Sequence, residues 1–304
     1  MRRHGYTPRF AVGVVAGSSV LGMLIPPSLL LILFGLLTEQ SVGDLFLAGI
    51  GPGLLLALLF GIGTVLMATF LPGFVGRNLS EGENDLGARD LLLKGGPITL
   101  LILLVLGGIY GGVFSPVEAG AIGTLGALAI GFARGTLTLS GLWEVLVETG
   151  LVTASVCFLI IAAQMYSRML AFSGVPGAFG GMVAAADLTA IAFILLYVLI
   201  VILFGMILDS SSIMLIVVPL MLPIVQPMGI DLIWFGIVTV IAVEIGLLTP
   251  PFGISVYVIK STLDDAEISL TDIFLGAAPF ALMMLVCLGA VIAVPEIATG
   301  LLGR

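Results

Sequence analysis

From residue 189 to residue 228 the chain runs for forty residues with a single charged side chain, Asp209, set in the phrase LDSSS. The hydrocarbon core of a bilayer is about 30 Å thick and takes roughly 20 apolar helical residues to cross. Forty residues are too many for one crossing and leave no room for an ordinary loop between two. Backbone groups at membrane depth must also find their partners inside the protein. The stretch therefore reads as a re-entrant hairpin, with helices over 189–208 and 212–226 and its tip at 209–212.

Apolar runs of similar character fill most of the remaining sequence, at 8–37, 45–71, 97–114, 117–133, 145–170, 233–260 and 272–298. Hydrophobic residues make up 60% of the chain and charged ones 9%, against about 25% charged in a soluble domain. The fold class is an all-α polytopic membrane protein. No basic patch of the kind that holds nucleic acid is present. Cys157 and Cys287 lie in apolar runs and read as packing residues. The basic start, MRRHGYTPRF, resembles a signal peptide, but the apolar stretch behind it has no cleavage site and reads as mature protein. With the N-terminus in the cytoplasm, eight of the ten basic residues fall inside, and Arg168 and Arg304 fall outside.

Two apolar runs carry nearly the same interruption: VLGMLIPPSL at 20–29 and EIGLLTPPFG at 244–253. Pro26 and Pro250 are 224 residues apart; Phe46 and Phe274, in the runs that follow, are 228 apart. Two units thus align with about four residues inserted. In the charge-derived orientation they run in opposite senses, an inverted repeat of the kind secondary transporters use. A Pro-Pro pair removes two backbone donors and breaks the helix. The carbonyls freed around 21–25 and 245–249 cannot face lipid, and a dehydrated cation such as Na⁺ takes oxygen ligands. Gly22 and Gly246 are expected to supply the unusual backbone angles. Ser18, Ser19, Ser28 and Thr249 add hydroxyl oxygens. The competing reading is a packed proline kink, and its symmetric duplication argues against it.

GYTPRFAVGVVAGSSVLGMLIPPS, LTEQSVGDLFLAGIGPGLLLAL, GGIYGGVFSPVEAGAIG, MILDSSSIMLIVVPLMLPIVQPMGID and EIGLLTPPFGISVYVIK together resemble the large membrane subunit of TRAP (tripartite ATP-independent periplasmic) transporters. The resemblance covers nearly the whole chain. It implies an elevator-type transporter with discontinuous helices, in which hairpins and unwound helices form a mobile part held by a scaffold. It also implies Na⁺ as coupling ion with no other cofactor. The implied partners are a small TRAP membrane subunit, a periplasmic substrate-binding protein and an organic acid, all acting at the lipid bilayer. The domains then divide as the remainder of a first repeat (1–71), a cytoplasmic loop (72–96), second-repeat scaffold helices (97–188) and a second-repeat transport part (189–304). Family members carry a further N-terminal stretch with a first hairpin. On this sequence the first repeat is therefore expected to be incomplete, and a transport-inactive remnant is the alternative reading. Ala242 stands where the family often has Asn, and Ser210 and Ser211 stand where DPT is frequent.

The expected ion ligands are Ser18, Ser19, Gly22, Ser28, Asp209, Ser210, Gly246 and Thr249. The expected substrate contacts are Ser211, Ser212, Pro26 and Pro250, with the start of the second hairpin helix aiming its positive end at a substrate carboxylate. Asp209 could instead cap that helix. Glu244, also at membrane depth, braces the unwound segment, pairs with another residue or ligates. Glu118 reads as a first-turn acid and Glu144 and Glu148 as a solvated face; His4, the sole histidine, reads as a surface residue. An intramembrane protease would need a Ser-His dyad or paired intramembrane aspartates, and a channel would need repeated pore helices. Neither pattern is present, so the chain reads as a permease, not an enzyme.

Overall fold

The computed structural model describes residues 1, 5–76, 88–186, 188–263 and 268–303. The described residues are helical almost throughout: α1 (Pro8–Leu24), α2 (Leu29–Thr38), α3 (Val42–Phe70), α4 (Pro72–Val75), α5 (Ala88–Tyr110), α6 (Pro116–Ala133), α7 (Leu139–Ser173), α8 (Val175–Ala185), α9 (Ala190–Gly205), α10 (Ser210–Val225), α11 (Leu232–Leu248), α12 (Ile254–Thr262), α13 (Leu270–Ala293) and α14 (Glu296–Thr299). The chain divides into two units, one of Met1–Glu81 with Ser167–Arg304, the other of Gly82–Tyr166.

In the larger unit α11 is the core. Every residue from Ile233 to Leu248 is buried, as expected of a helix that is apolar all round. α9, α13, α3, α1 and α2 pack around it. Tyr197 and Phe34 each bring a ring against Phe235, at centroid distances of 4.7 and 6.1 Å. The buried polar tips are paired: the Tyr197 and Thr239 hydroxyls lie 2.9 Å apart, and Trp234 Nε1 donates to the Val291 carbonyl at 2.9 Å. α1 lies on α13, where Gly13 and Gly276 bring the two backbones into contact. An Arg9–Asp272 ion pair joins the starts of these two helices.

α1 and α11 are each 17 residues long, and both of their ends are 224 residues apart, 8 to 232 and 24 to 248. The helices that follow the breaks, α2 and α12, have 10 and 9 residues. Each pair is then followed by a long helix, α3 or α13, capped by a serine hydroxyl that accepts from the third helical residue. The same sequence pattern thus builds the same local structure twice.

Among the described residues, five stretches are long and apolar enough to cross a membrane: Pro8–Thr38, Val42–Phe70, Pro116–Ala133, Leu139–Leu170 and Leu270–Ala293. α9 and α10 have 16 residues each. At 1.5 Å per residue each is about 24 Å long, short of the roughly 30 Å hydrocarbon core.

In the smaller unit α5 and α6 pack together. α6 starts with a capping box, Ser115 and Glu118 each accepting the other's backbone N–H. Large apolar side chains on α6 and α7 are open, Val117 at 84% and Phe158 at 71% exposed, a surface suited to lipid rather than water.

The stretch between the apolar runs at 145–170 and 189–228 holds a helix of its own, α8: Gly174 takes the turn at φ +74°, and Pro176 falls in the first helical turn, where no intrahelical N–H bond is needed. Two sequence expectations need correction. The loop expected over 72–96 holds α4 and the start of α5 at Ala88, since ARDLLLK, Asp90 apart, consists of good helix formers; residues 77–87 lie outside the described residues. The second hairpin helix starts at Ser210 rather than 212, because Asp209 caps it and draws the three serines into its first turn.

Candidate transport site

Both breaks follow from proline chemistry. α1 ends at Leu24 ahead of Pro26-Pro27, and α11 ends at Leu248 ahead of Pro250-Pro251. Proline cannot donate to the carbonyl four residues back, so the carbonyls of residues 22, 23, 246 and 247 lose their helical partners. Some of this deficit is met locally. At the first break Ser28, fully buried, donates its hydroxyl to the Met23 carbonyl and accepts from Leu31 N at 3.3 Å as the cap of α2. At the second, Thr249 Oγ1 donates to the Ile245 carbonyl at 2.6 Å and Thr249 N to the Gly246 carbonyl at 3.0 Å. A hydroxyl that gives its proton to a carbonyl still presents lone pairs, so both can accept or ligate further.

The other expected ligands of the first break sit within α1. Ser18 and Ser19 are exposed and donate to the Val15 and Ala16 carbonyls at 3.2 and 2.8 Å. Gly22 is exposed, with open space around it. Pro26 is buried, 3.7 Å from where a Cβ on Gly49 of α3 would lie, and Pro250 is exposed.

The expectation that Gly22 and Gly246 supply unusual backbone angles does not hold. Both lie inside regular helices. At the second break the left-handed residue is Gly253, at φ 54° and ψ 73° just before α12. Gly246 serves packing instead, since a Cβ on Gly205 would lie 2.8 Å from its Cα. The two glycines let α9 and α11 touch backbone to backbone.

That contact, and one hydrogen bond, place the hairpin turn against the second break. The Gly253 N–H donates to the Met206 carbonyl at 3.2 Å. Met206 follows α9 directly, and three residues later Asp209 caps α10, its Oδ2 accepting from Ser212 N at 3.0 Å while the Ser212 hydroxyl donates to Oδ1. Ser210 and Ser211 fill the first two positions of α10. A carboxylate, a helix N-terminus and the interrupted end of α11 are thus linked through one short backbone path. Neither Met206 nor Gly253 stands out on composition. A glycine two residues after a Pro-Pro pair is the signal that would have marked the second.

Residues 1–297 match the family described as the tripartite ATP-independent periplasmic transporter, DctM component. The chain belongs to this family. A C4-dicarboxylate TRAP transporter large permease protein of Pseudomonas aeruginosa is 33% identical over 304 residues, covering 99% of this chain and 69% of that protein. The ectoine large permease of Halomonas elongata is 30% identical, with 98% and 68% covered. The sialic acid large permease of Vibrio cholerae is 30% identical, with 97% and 68% covered. TRAP large permeases are transporter subunits rather than enzymes, and the family works by binding-protein-dependent secondary transport. With its apolar helices, this TRAP permease is a multi-pass membrane protein.

Proposed function

We propose that the chain is the permease component of a sodium-coupled importer of organic acids in the bacterial inner membrane. A small membrane subunit and a periplasmic binding protein work with it. The observation that carries the proposal is the Gly253–Met206 hydrogen bond, which joins the Asp209 turn to the interrupted end of α11. Interrupted helices at membrane depth are where such transporters bind substrate and ion. The carbonyls released at the break, the Thr249 and Ser210 oxygens and Asp209 are hard ligands suited to Na⁺. The N-terminus of α10, with Ser211 and Ser212, suits a carboxylate. Ser18, Ser19 and Ser28 are the corresponding oxygens at the first break.

The lengths of α9 and α10 support a re-entrant hairpin. The matched lengths and spacing of α1 and α11 support a repeat, inverted by the charge-derived orientation, and an elevator motion of the repeat cores against lipid-facing helices. Two relatives named for C4-dicarboxylate and sialic acid support carboxylated solutes.

The test is uptake of labelled dicarboxylate or sialic acid into proteoliposomes holding the permease and its small subunit, with binding protein outside. An inward Na⁺ gradient is expected to drive accumulation, and replacing Na⁺ with K⁺ to stop it. Accumulation indifferent to the cation would refute sodium coupling.

A further inference from the structure

α9, AIAFILLYVLIVILFG, has one polar side chain, that of Tyr197. It is 2% exposed, and its hydroxyl lies 2.9 Å from Thr239 Oγ1 of α11. Thr239 gives its own proton to the Phe235 carbonyl at 2.7 Å, and a hydroxyl has only one proton. Tyr197 is therefore the donor of the pair. Burying a phenol hydroxyl costs free energy unless it is paired, so a phenylalanine would pack here at lower cost if packing were all the position had to do. Nor does the repeated helix itself call for a hydroxyl at Thr239. The residue 224 positions earlier, in α1, is Val15, and it is exposed.

The pair is one of two fixed points between α9 and α11. The other is the Gly205–Gly246 backbone contact. It lies eight residues beyond Tyr197 and seven beyond Thr239, about 12 and 10 Å along the two axes. The two helices thus run side by side in the same sense. Small residues let helices approach closely, but a glycine surface offers little resistance to sliding along the axis. A hydrogen bond resists it, because a slip of one residue, about 1.5 Å, takes the donor out of range. Met206, which holds Gly253, and Asp209, the cap of α10, follow at the end of α9. Any slip of α9 is passed to both.

We propose that Tyr197 is a positioning residue of the transport site. By donating to Thr239 it sets the axial register of α9 on α11, and with it the place of the Asp209 turn against the second break. It touches neither ion nor substrate. The register stands on the packing of the two helices; its consequence for sodium rests on the function proposed above.

The experiment uses the purified full chain in detergent and reads two quantities. One is the sodium concentration that gives half of the thermal stabilisation by NaCl, with KCl holding the ionic strength. The other is the alkylation rate of a cysteine at Ser211 in a background lacking Cys157 and Cys287. Tyr197→Phe keeps the ring against Phe235 and removes the donor; Thr239→Val removes the acceptor; Thr239→Ser keeps it. Tyr197→Phe and Thr239→Val are each expected to raise both quantities by about two- to tenfold, the range of one net hydrogen bond. The double variant should go no further than either single one, and Thr239→Ser should stay near the wild type. Should Tyr197→Phe fail to fold, the contrast between Thr239→Val and Thr239→Ser decides. A wild-type value of either quantity in the folded variants overturns the proposal, even where the melting temperature falls, because the pair then only packs. If the wild type itself shows no sodium effect, sodium coupling fails, and the alkylation rates alone uphold or overturn the register.

Discussion

The backbone N–H of Gly253 reaches the carbonyl of Met206 across 3.2 Å, tying the turn between α9 and α10 to the break between α11 and α12. The donor is held in the left-handed region, at φ 54°, where a side chain is disfavoured. Space is also lacking, since a Cβ there would lie 2.7 Å from a ring carbon of Phe274. The strain cost alone is about 1–2 kcal/mol. Gly253→Ala is therefore expected to lower the thermal unfolding temperature of the purified protein. It should also speed alkylation of a cysteine placed at Ser211. Wild-type stability together with wild-type labelling would mean that the bond does not hold the turn.

Gly205 and Gly246 form the second link. The atoms that an added Cβ would strike are backbone, including the Val243 carbonyl oxygen at 2.9 Å from a Cβ on Gly205, so no rotamer change relieves the clash. Gly205→Ala and Gly246→Ala are each expected to destabilise by about 1–3 kcal/mol, the usual range for overpacking. Because both force the same two helices apart, the double variant should cost less than the sum. Additive costs in a denaturation series would show that the two positions act independently.

The hydroxyls at the two breaks rank differently. Ser28 is fully buried and makes two hydrogen bonds, whereas Thr249 is partly open. Ser28→Ala strands the Met23 carbonyl and removes the α2 cap, and is expected to cost about 1–3 kcal/mol. Thr249→Val keeps the shape and removes a single side-chain hydrogen bond at a partly open residue, so its cost should be smaller. Equal losses in thermal stability would contradict this ordering.

The membrane class was legible because bilayer insertion is a property of composition. The helix ends at Leu24 and Leu248 were legible because a proline pair acts through its own missing N–H groups, whatever surrounds it. Gly253 was not, since its left-handed angle arises where the chain re-enters a helix after the break. Neither was the Gly205–Gly246 contact, which depends on α9 meeting α11. Within one sequence Gly246 looked like a flexible joint, and it is a packing surface. The start of α10 shifted for a related reason: Asp209 was read as a tip residue, and its capping bonds pull Ser210 to Ser212 into the helix. For Glu244 the sequence carries the charge and the depth, but that its Oε1 lacks a hydrogen-bond partner is visible only once the surrounding helices are placed.

Membrane orientation gives a further prediction. The excess of basic residues on one side puts residues 94 and 134 in the cytoplasm and residue 231, the cap of α11, in the periplasm. In a background lacking Cys157 and Cys287, an impermeant thiol reagent added to intact cells is expected to label a cysteine at 231 and to spare those at 94 and 134. Labelling at 94 from outside would reverse the topology, and with it the inverted sense of the two units.

Asp209 carries two roles that substitution can separate. Its carboxylate caps α10 through Ser212, and in the proposed function it also supplies charge to a cation. Asn keeps a capping oxygen and loses the charge; Ala loses both. Asp209→Ala is expected to cost about 0.5–2 kcal/mol of stability, the usual value of a cap, and Asp209→Asn much less. Sodium provides the second readout. A cation that binds only the folded protein stabilises it by about 1.4 kcal/mol when tenfold above its dissociation constant. The wild type should therefore melt at a higher temperature in NaCl than in KCl at equal ionic strength, and both variants should lose that difference. If Asp209→Asn retains the full sodium effect, Asp209 is a cap and nothing more, and the cation is held by the carbonyls and hydroxyls of the break alone.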